Sequence, residues 1–170
     1  FEKTAREEVD FALFSIQLFK DVVLKNQGYV DMILSDAFTI QTYYMGMVDK
    51  DNKVNFYDGD IRVVTPEGKE FAKFPASQYL EHVAEHVEPW SFLKFPYYRK
   101  QGWPQGAYRV GPLGRLNVVD HIGTPLAQEE FKRFRDLGNG RPVEGSLFYH
   151  YARLIELIYA LERIEQLLAE

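Results

Sequence analysis

The stretch Ser146–Glu170, SLFYHYARLIELIYALERIEQLLAE, decides the fold class. Leu147, Leu154, Leu161 and Leu168 recur every seven residues. Tyr151, Leu157, Ile158 and Ile164 fill the same side at helical spacing, and Phe148 and Ile155 widen the stripe. This periodicity predicts a helix whose apolar arc needs several neighbours. Gly145 breaks the chain before it, and the Ser146 hydroxyl is placed to cap its first free amides. About 22 helical residues at 1.5 Å each make a rod of roughly 33 Å, long enough to cross a domain.

A second long helix is predicted over residues 2–25, ended by Gly28. Ala5, Val9, Ala12, Leu13, Ile16, Phe19 and Val23 form one apolar stripe; Phe11, Phe14, Leu18 and Val22 form another. A helix apolar on two sides needs partners on two sides. Glu2 with Arg6 and Lys3 with Glu7 are four-apart pairs on the polar side, each worth about 0.2–0.5 kcal/mol. Between the two helices the period falls to 2. Strands are expected at 38–48, 54–57, 61–65 and 69–74, joined by turns at Asp49–Asn52, Asp58–Gly59 and Pro66–Gly68, an antiparallel meander. Ser77–Glu88 reads as a short helix capped by Ser77, with Tyr79, Leu80, Val83, Ala84 and Val87 inward. Residues 128–137 read as a further helix, with Phe131 and Phe134 inward and Lys132, Arg133 and Arg135 outward.

The expected fold class is α+β, a long-helix bundle with a small antiparallel meander and an irregular Pro/aromatic-rich connection. The chain divides as 1–35 helical, 36–75 sheet, 76–88 short helix, 89–125 connection and 126–170 helices, all within a single domain of 1–170. It opens in mid-helix without methionine and closes without a helix stop signal, so a piece cut from a longer subunit is expected.

The 170 residues carry a net charge of −5, which argues against nucleic acid as a general partner. No run approaches the roughly 18 apolar residues of a membrane span. There is no cysteine, which excludes disulfides, Cys-ligated zinc, iron–sulfur clusters and thiol nucleophiles within these residues. A reducing cytoplasm fits that composition.

Three stretches hold candidate chemistry. His82-Val-Ala-Glu85-His86 matches H-x-x-E-H; on a helix, both histidines would reach one zinc, with Glu85 as general base and Glu156 or Glu162 as third ligand. The competing reading is two solvated histidines at the edge of a short helix, and it is preferred. Residues 89–119 hold Lys94, Arg99, Lys100, Arg109 and Arg115 with no Asp or Glu. Trp90, Tyr97, Tyr98 and Trp103 would stack bases there. Packing of an irregular connection, or an interface with another subunit where Arg and aromatics are favoured, is preferred over RNA. His150, Arg153 and Glu156 would form either a buried proton relay or a polar patch fixing one helix on another. Gly111–Gly114 is too short for a phosphate loop and reads as a turn.

Further segments carry a family resemblance. Tyr108–Val118 (YRVGPLGRLNV), Gly123–Ala127 (GTPLA), Glu130–Arg135 (EFKRFR) and Phe148–Glu156 (FYHYARLIE) resemble the large subunit of soluble nickel–iron hydrogenases. Asn55–Gly59, Arg62–Val64, Phe95–Arg99 and Gly102–Pro104 are similar to the cytoplasmic NAD(P)-linked, bidirectional and methyl-viologen-reducing group. The match runs from about residue 38 to 165. The resemblance implies a parent enzyme that interconverts H2 with protons and electrons at a nickel–iron centre held by four cysteines. Those lie in R-x-C-G-x-C and D-P-C-x-x-C motifs, neither of which is here. It therefore implies a central scaffold segment with no catalytic, cofactor-binding or metal-binding residue of its own, inactive alone. The implied partners are the small iron–sulfur subunit with its companion electron-transfer subunits, and bare helix faces invite self-association. A non-catalytic binding or assembly module is the alternative, and an H-x-x-E-H zinc peptidase a minor one.

Overall fold

The structure, a computed structural model, describes residues 2–170, with the side chains of Glu2 and Ala5 outside the description. The expected Glu2–Arg6 pair and the place of Ala5 in the first stripe fall outside the described residues. The chain is α+β and divides into two compact units, one of residues up to 40 together with 121–170 and one of residues 41–120.

The first unit is helical. Helix α1 (Glu2–Phe19) runs without Gly or Pro, continues into a π-helical turn (Lys20–Leu24), and packs along the last helix of the chain. Its first stripe turns inward, with Ala12 and Ile16 fully buried. Lys3 and Glu7 pair on the outer side at 3.8 Å. Gly28 does not end this helix. Asn26 leaves helical geometry, and its side chain accepts from the Tyr29 amide to cap α2 (Gln27–Ile33), which contains Gly28.

After the second unit come α5 and α6. Helix α5 (Pro125–Leu137) starts three residues earlier than the apolar pattern indicates because Pro125 occupies its first turn. Phe131 and Phe134 are buried, as expected, and Lys132 and Arg133 are exposed. Helix α6 (Tyr149–Ala169) is entered through a 3-10 turn, Ser146–Phe148. The Ser146 backbone amide donates to the Phe38 carbonyl at 2.8 Å, which holds the start of that turn. The buried face of α6 is Tyr151, Ala152, Ile155, Ile158 and Leu161, whereas Leu157, Ile164 and Leu168 are exposed. The seven-residue leucine repeat thus marks the helix without marking its buried face.

The second unit is built on a four-stranded sheet in the order β3-β2-β1-β6. Strands β1 (Tyr43–Val48), β2 (Asp60–Val64) and β3 (Glu70–Pro75) are antiparallel neighbours, and β6 (Tyr108–Arg109) joins β1 in parallel. The meander is therefore part of a mixed sheet. Residues 38–42 stay outside the strand, and the expected strand at 54–57 is a single bridge from Val54 to Val48. The turns are where their chemistry puts them. Asp49 Oδ1 accepts from the Asp51 and Lys53 amides at 2.8 Å. Gly59 has φ +155°, and a Cβ there would meet the Val48 carbonyl oxygen at 2.2 Å. Helix α4 (Gly111–Val118) lies against β1. Gly111–Gly114 is thus the first turn of a helix rather than a free turn.

Residues 76–98 depart furthest from expectation. Ala76–Gln78 is a 3-10 turn, α3 (Tyr79–His82) is a single helical turn, and Val83–Val87 is a strand, β4, paired antiparallel with β5 (Lys94–Tyr98). In place of the expected helix over 77–88 there is a single helical turn and a strand, and the expected irregular connection over 89–125 holds the second strand of a β-hairpin, a 3-10 turn (Arg99–Gln101), β6 and the helix Gly111–Val118. Pro96 is tolerated because the second edge of β5 is engaged beyond it, at Tyr97 and Tyr98, rather than along the whole strand.

Candidate functional site

Placing His86 in a strand removes the geometry on which the zinc reading rested. Val83, opposite Tyr98, begins the strand directly after His82, so the two histidines are not one turn apart on a helix. Their partners differ. The His82 ring stacks on Phe74 with centroids 3.7 Å apart, and its Nδ1 lies 3.2 Å from the Tyr98 hydroxyl. His86 stacks on Trp103 at 4.9 Å and holds Glu88 Oε1 at 2.8 Å through Nε2. Glu85 forms an ion pair with Lys94. The nominated third ligand Glu162 is committed elsewhere: its two oxygens accept from the Leu126 and Ala127 amides at 2.8 and 2.9 Å. These are free donors of the first turn of α5, so a side chain of α6 caps its neighbour.

The other histidine set is split as well. His150 and Arg153 are exposed on α6, whereas Glu156 is buried. A resident metal does not fit these residues. The chain has no cysteine, and no group of three His, Asp or Glu side chains is placed to hold an ion among the described residues.

Two arrangements hold chemistry that the motifs did not point to. In the first unit, Glu130 on α5 is buried and accepts from Lys20 Nζ at 2.9 Å, from Arg133, and from the Tyr151 hydroxyl at 2.9 Å. Tyr151 itself stacks on Phe19 at 5.3 Å. Burial, then the Glu130 carboxylate, pushes the Tyr151 phenol far above its ordinary range, so it stays a donor. The node ties three helical segments through one carboxylate. Its signal was present in the sequence: Ala127, Glu130, Phe131 and Phe134 share one helix face, so an acid stands among inward residues.

In the second unit, aromatic rings cover the β4–β5 hairpin. Trp90 meets Phe95 at 5.8 Å, Phe95 meets Trp103 at 5.5 Å, and Tyr97 meets Trp103 at 6.2 Å. A second cluster joins Tyr43, Phe71 and Tyr98, with ring distances of 5.1 and 5.0 Å through Phe71. Lys100 Nζ lies 5.9 Å above the Phe71 ring. Desolvation raises the phenol pKa values of Tyr43 and Tyr98, so both stay neutral. Elsewhere in the unit, a depression of about 300 Å³ is lined by Met45, Met47, Phe56, Ile61 and Val110, with Arg115 over the Phe56 ring.

No protein-family model matches the chain. Individual proteins do. Over 168 residues, 99% of this chain, it is 43% identical to the vhu A subunit of F420-non-reducing hydrogenase from Methanocaldococcus jannaschii. It is 37% identical over 173 residues to the iron-sulfur A subunit of F420-non-reducing hydrogenase from Archaeoglobus profundus. It is 37% identical over 160 residues to the beta subunit of NAD-reducing hydrogenase HoxS from Cupriavidus necator. The fold superimposes with a TM-score of 0.90, at 30% identity, on a chain of an NAD+-reducing [NiFe]-hydrogenase solved in its H2-reduced state, covering 99% of this chain and 37% of that one.

Along nearly its whole length, this chain is similar to a segment of hydrogenase subunits. It spans 39, 35 and 32% of the three relatives. Their names overturn one expectation. They are A or beta subunits, one of them described as iron-sulfur, and none is designated a large subunit. The assignment of this chain to the nickel–iron large subunit is therefore withdrawn, while the similarity to hydrogenases stands.

Proposed function

We propose that this chain is a scaffold segment of a hydrogenase subunit of the A or beta type, working in a cytoplasmic, multi-subunit assembly that oxidises H2 and passes the electrons to an acceptor. The observation that carries this reading is 43% identity sustained over 99% of the chain. The TM-score of 0.90 with a chain of an NAD+-reducing [NiFe]-hydrogenase solved in its H2-reduced state supports it as well. The acceptor belongs to the whole assembly: the relatives are named F420-non-reducing and NAD-reducing, and these residues favour neither.

On this reading the present residues position, and do not perform, the redox chemistry. Their donor set lacks the thiolates that iron–sulfur and nickel sites need. The metal centres of the assembly are held by residues outside this segment. The helical unit, tied through Glu130, and the mixed sheet carrying the aromatic hairpin are the rigid parts it contributes. The test is H2-dependent reduction of a viologen dye. The purified assembly containing the full-length subunit is expected to reduce the dye, and the 170-residue chain alone is not. Reduction by the chain alone, or none by the assembly, would overturn the proposal.

The reading as a binding module also has an observation in its favour. Trp90, Phe92 and Leu93 stand exposed on one loop of the second unit.

A further inference from the structure

We propose that the β4–β5 hairpin is a docking surface for an acidic face on another protein subunit, with Trp90, Phe92 and Leu93 as apolar anchors and Arg99 and Lys100 as the charged flank. The proposal rests on the hydrogenase-subunit reading for the existence of such a partner. The geometry stands by itself.

The apolar anchors combine exposure with rigidity. Trp90, Phe92 and Leu93 are 77, 96 and 60% exposed, within four consecutive residues of the loop joining β4 to β5. Isolated exposed apolar residues are ordinary; three large ones at one tip mark a contact site. The tip is held in place. Ser91 Oγ accepts from the Leu93 amide at 3.1 Å, and the Ser91 amide donates to the Glu88 carbonyl at 3.1 Å. Trp90 leans on Phe95, Phe95 on Trp103, and Trp103 on His86. Ordering such anchors before contact lowers the entropy cost of binding, and aromatic anchors dominate protein interfaces.

Charge selects the partner. No Asp or Glu occurs from 89 to 119, in a chain of net charge −5. The carboxylates on and just after the facing strand are engaged: Glu85 pairs with Lys94, and Glu88 with His86. Arg99 donates to the backbone carbonyls of Leu80 and Val83, and Lys100 lies over Phe71. Both cations are exposed, and among the described residues neither spends its charge on a carboxylate. At about 3.3 Å per residue along β5 they stand roughly 20 Å from the tip, within the span of a standard interface of about 800 Å² per partner. An apolar knob with a positive flank fits a pocket rimmed by Asp and Glu.

The test uses the native assembly with the full-length subunit. A photo-crosslinking residue, p-benzoylphenylalanine, replaces Phe92 in one preparation and Tyr57, also exposed in the same unit, in another. From position 92 a single crosslink to another subunit is expected, in a peptide of net negative charge, with none to that peptide from position 57. Arg99→Glu combined with Lys100→Glu is expected to weaken binding of that partner tenfold or more, and added salt is expected to weaken the unmodified pair. No crosslink from position 92 would overturn the proposal. So would a crosslink to a second copy, to the subunit's own chain, to RNA or to lipid, or charge reversal without effect. If the charge-reversed variant fails to fold, seen as lost far-UV circular dichroism, the crosslink decides alone. H2-dependent dye reduction on the same sample reports the functional reading separately: a crosslinked assembly without that activity sinks the hydrogenase reading and leaves the docking surface standing.

Discussion

Two buried carboxylates, Glu162 and Glu130, tie helices together, each by a different physical route. Glu162 gives both oxygens to amides at the N-terminus of α5, where the helix dipole and free N–H groups favour negative charge. Glu162→Gln keeps the shape but removes that charge and one acceptor, and is expected to cost about 1–2 kcal/mol in urea unfolding. Glu130 instead collects Lys20, Arg133 and the Tyr151 hydroxyl. Glu130→Ala would leave Lys20 half-desolvated without a counter-charge, at a cost of about 3 kcal/mol. Tyr151 adds a pH signature. Desolvation, reinforced by Glu130, raises its pKa in the folded chain. An unfolded tyrosine loses its proton near pH ~10. The stability it contributes is therefore complete below that pH and is lost as pH rises beyond it, because only the unfolded chain ionises there. Urea midpoints compared at pH ~9 and ~11 should fall for the native chain. Tyr151→Phe should shrink that fall; Tyr43, Tyr98 and Tyr108, also raised by burial, supply what remains.

At the scale of elements, what the sequence made legible were the long periodic segments and the turns whose residues admit one geometry. Helices α1, α5 and α6 followed from 3.6-residue spacing, and the turns at Asp49, Gly59 and Gly68 from side-chain caps and positive φ. The hairpin at 83–98 was hidden for a physical reason. Val83-Ala-Glu-His-Val87 fits a helical face as well as a strand, and only its partner across the sheet decides. That partner contains Pro96, which argues against a strand unless its second edge is free at the proline. The candidate zinc site disappeared with the helix that would have built it, while the stack of His86 on Trp103 joined residues seventeen apart that no local pattern connects. Glycine at 46 is the converse case, a residue without local signal and with a tertiary reason. A Cβ there would lie 2.7 Å from Val118 Cγ2 and 3.1 Å from the Arg115 Cα, so α4 can approach β1 only over a bare backbone. Gly46→Ala is expected to cost about 1–3 kcal/mol by forcing that helix outward, read as a lower thermal midpoint, whereas Gly102→Ala meets no neighbour and pays only for its positive φ.

For the whole molecule, the decisive balance is between apolar surface that found a partner and apolar surface that did not. Helix α1 buries Ala12 and Ile16, yet Phe11, Phe14, Leu18 and Val22, one stripe at helical spacing, are each more than half exposed. The double-stripe reading of the sequence is thus matched on one side and left uncovered on the other. Leu157, Ile164, Leu167 and Leu168 are likewise exposed along α6. None of these helices is long and apolar enough to cross a membrane among the described residues. Continuous apolar stripes in water are sticky whatever covers them in the assembly. The 170-residue chain is therefore expected to bind an apolar dye such as anilinonaphthalene sulfonate while keeping native far-UV circular dichroism. Phe14→Glu with Leu18→Glu should remove most of that fluorescence and leave the thermal midpoint within a few degrees, because neither side chain contributes to the buried core. A large drop in the midpoint would mean instead that the stripe packs against this chain's own residues, and that the second side of α1 is not bare.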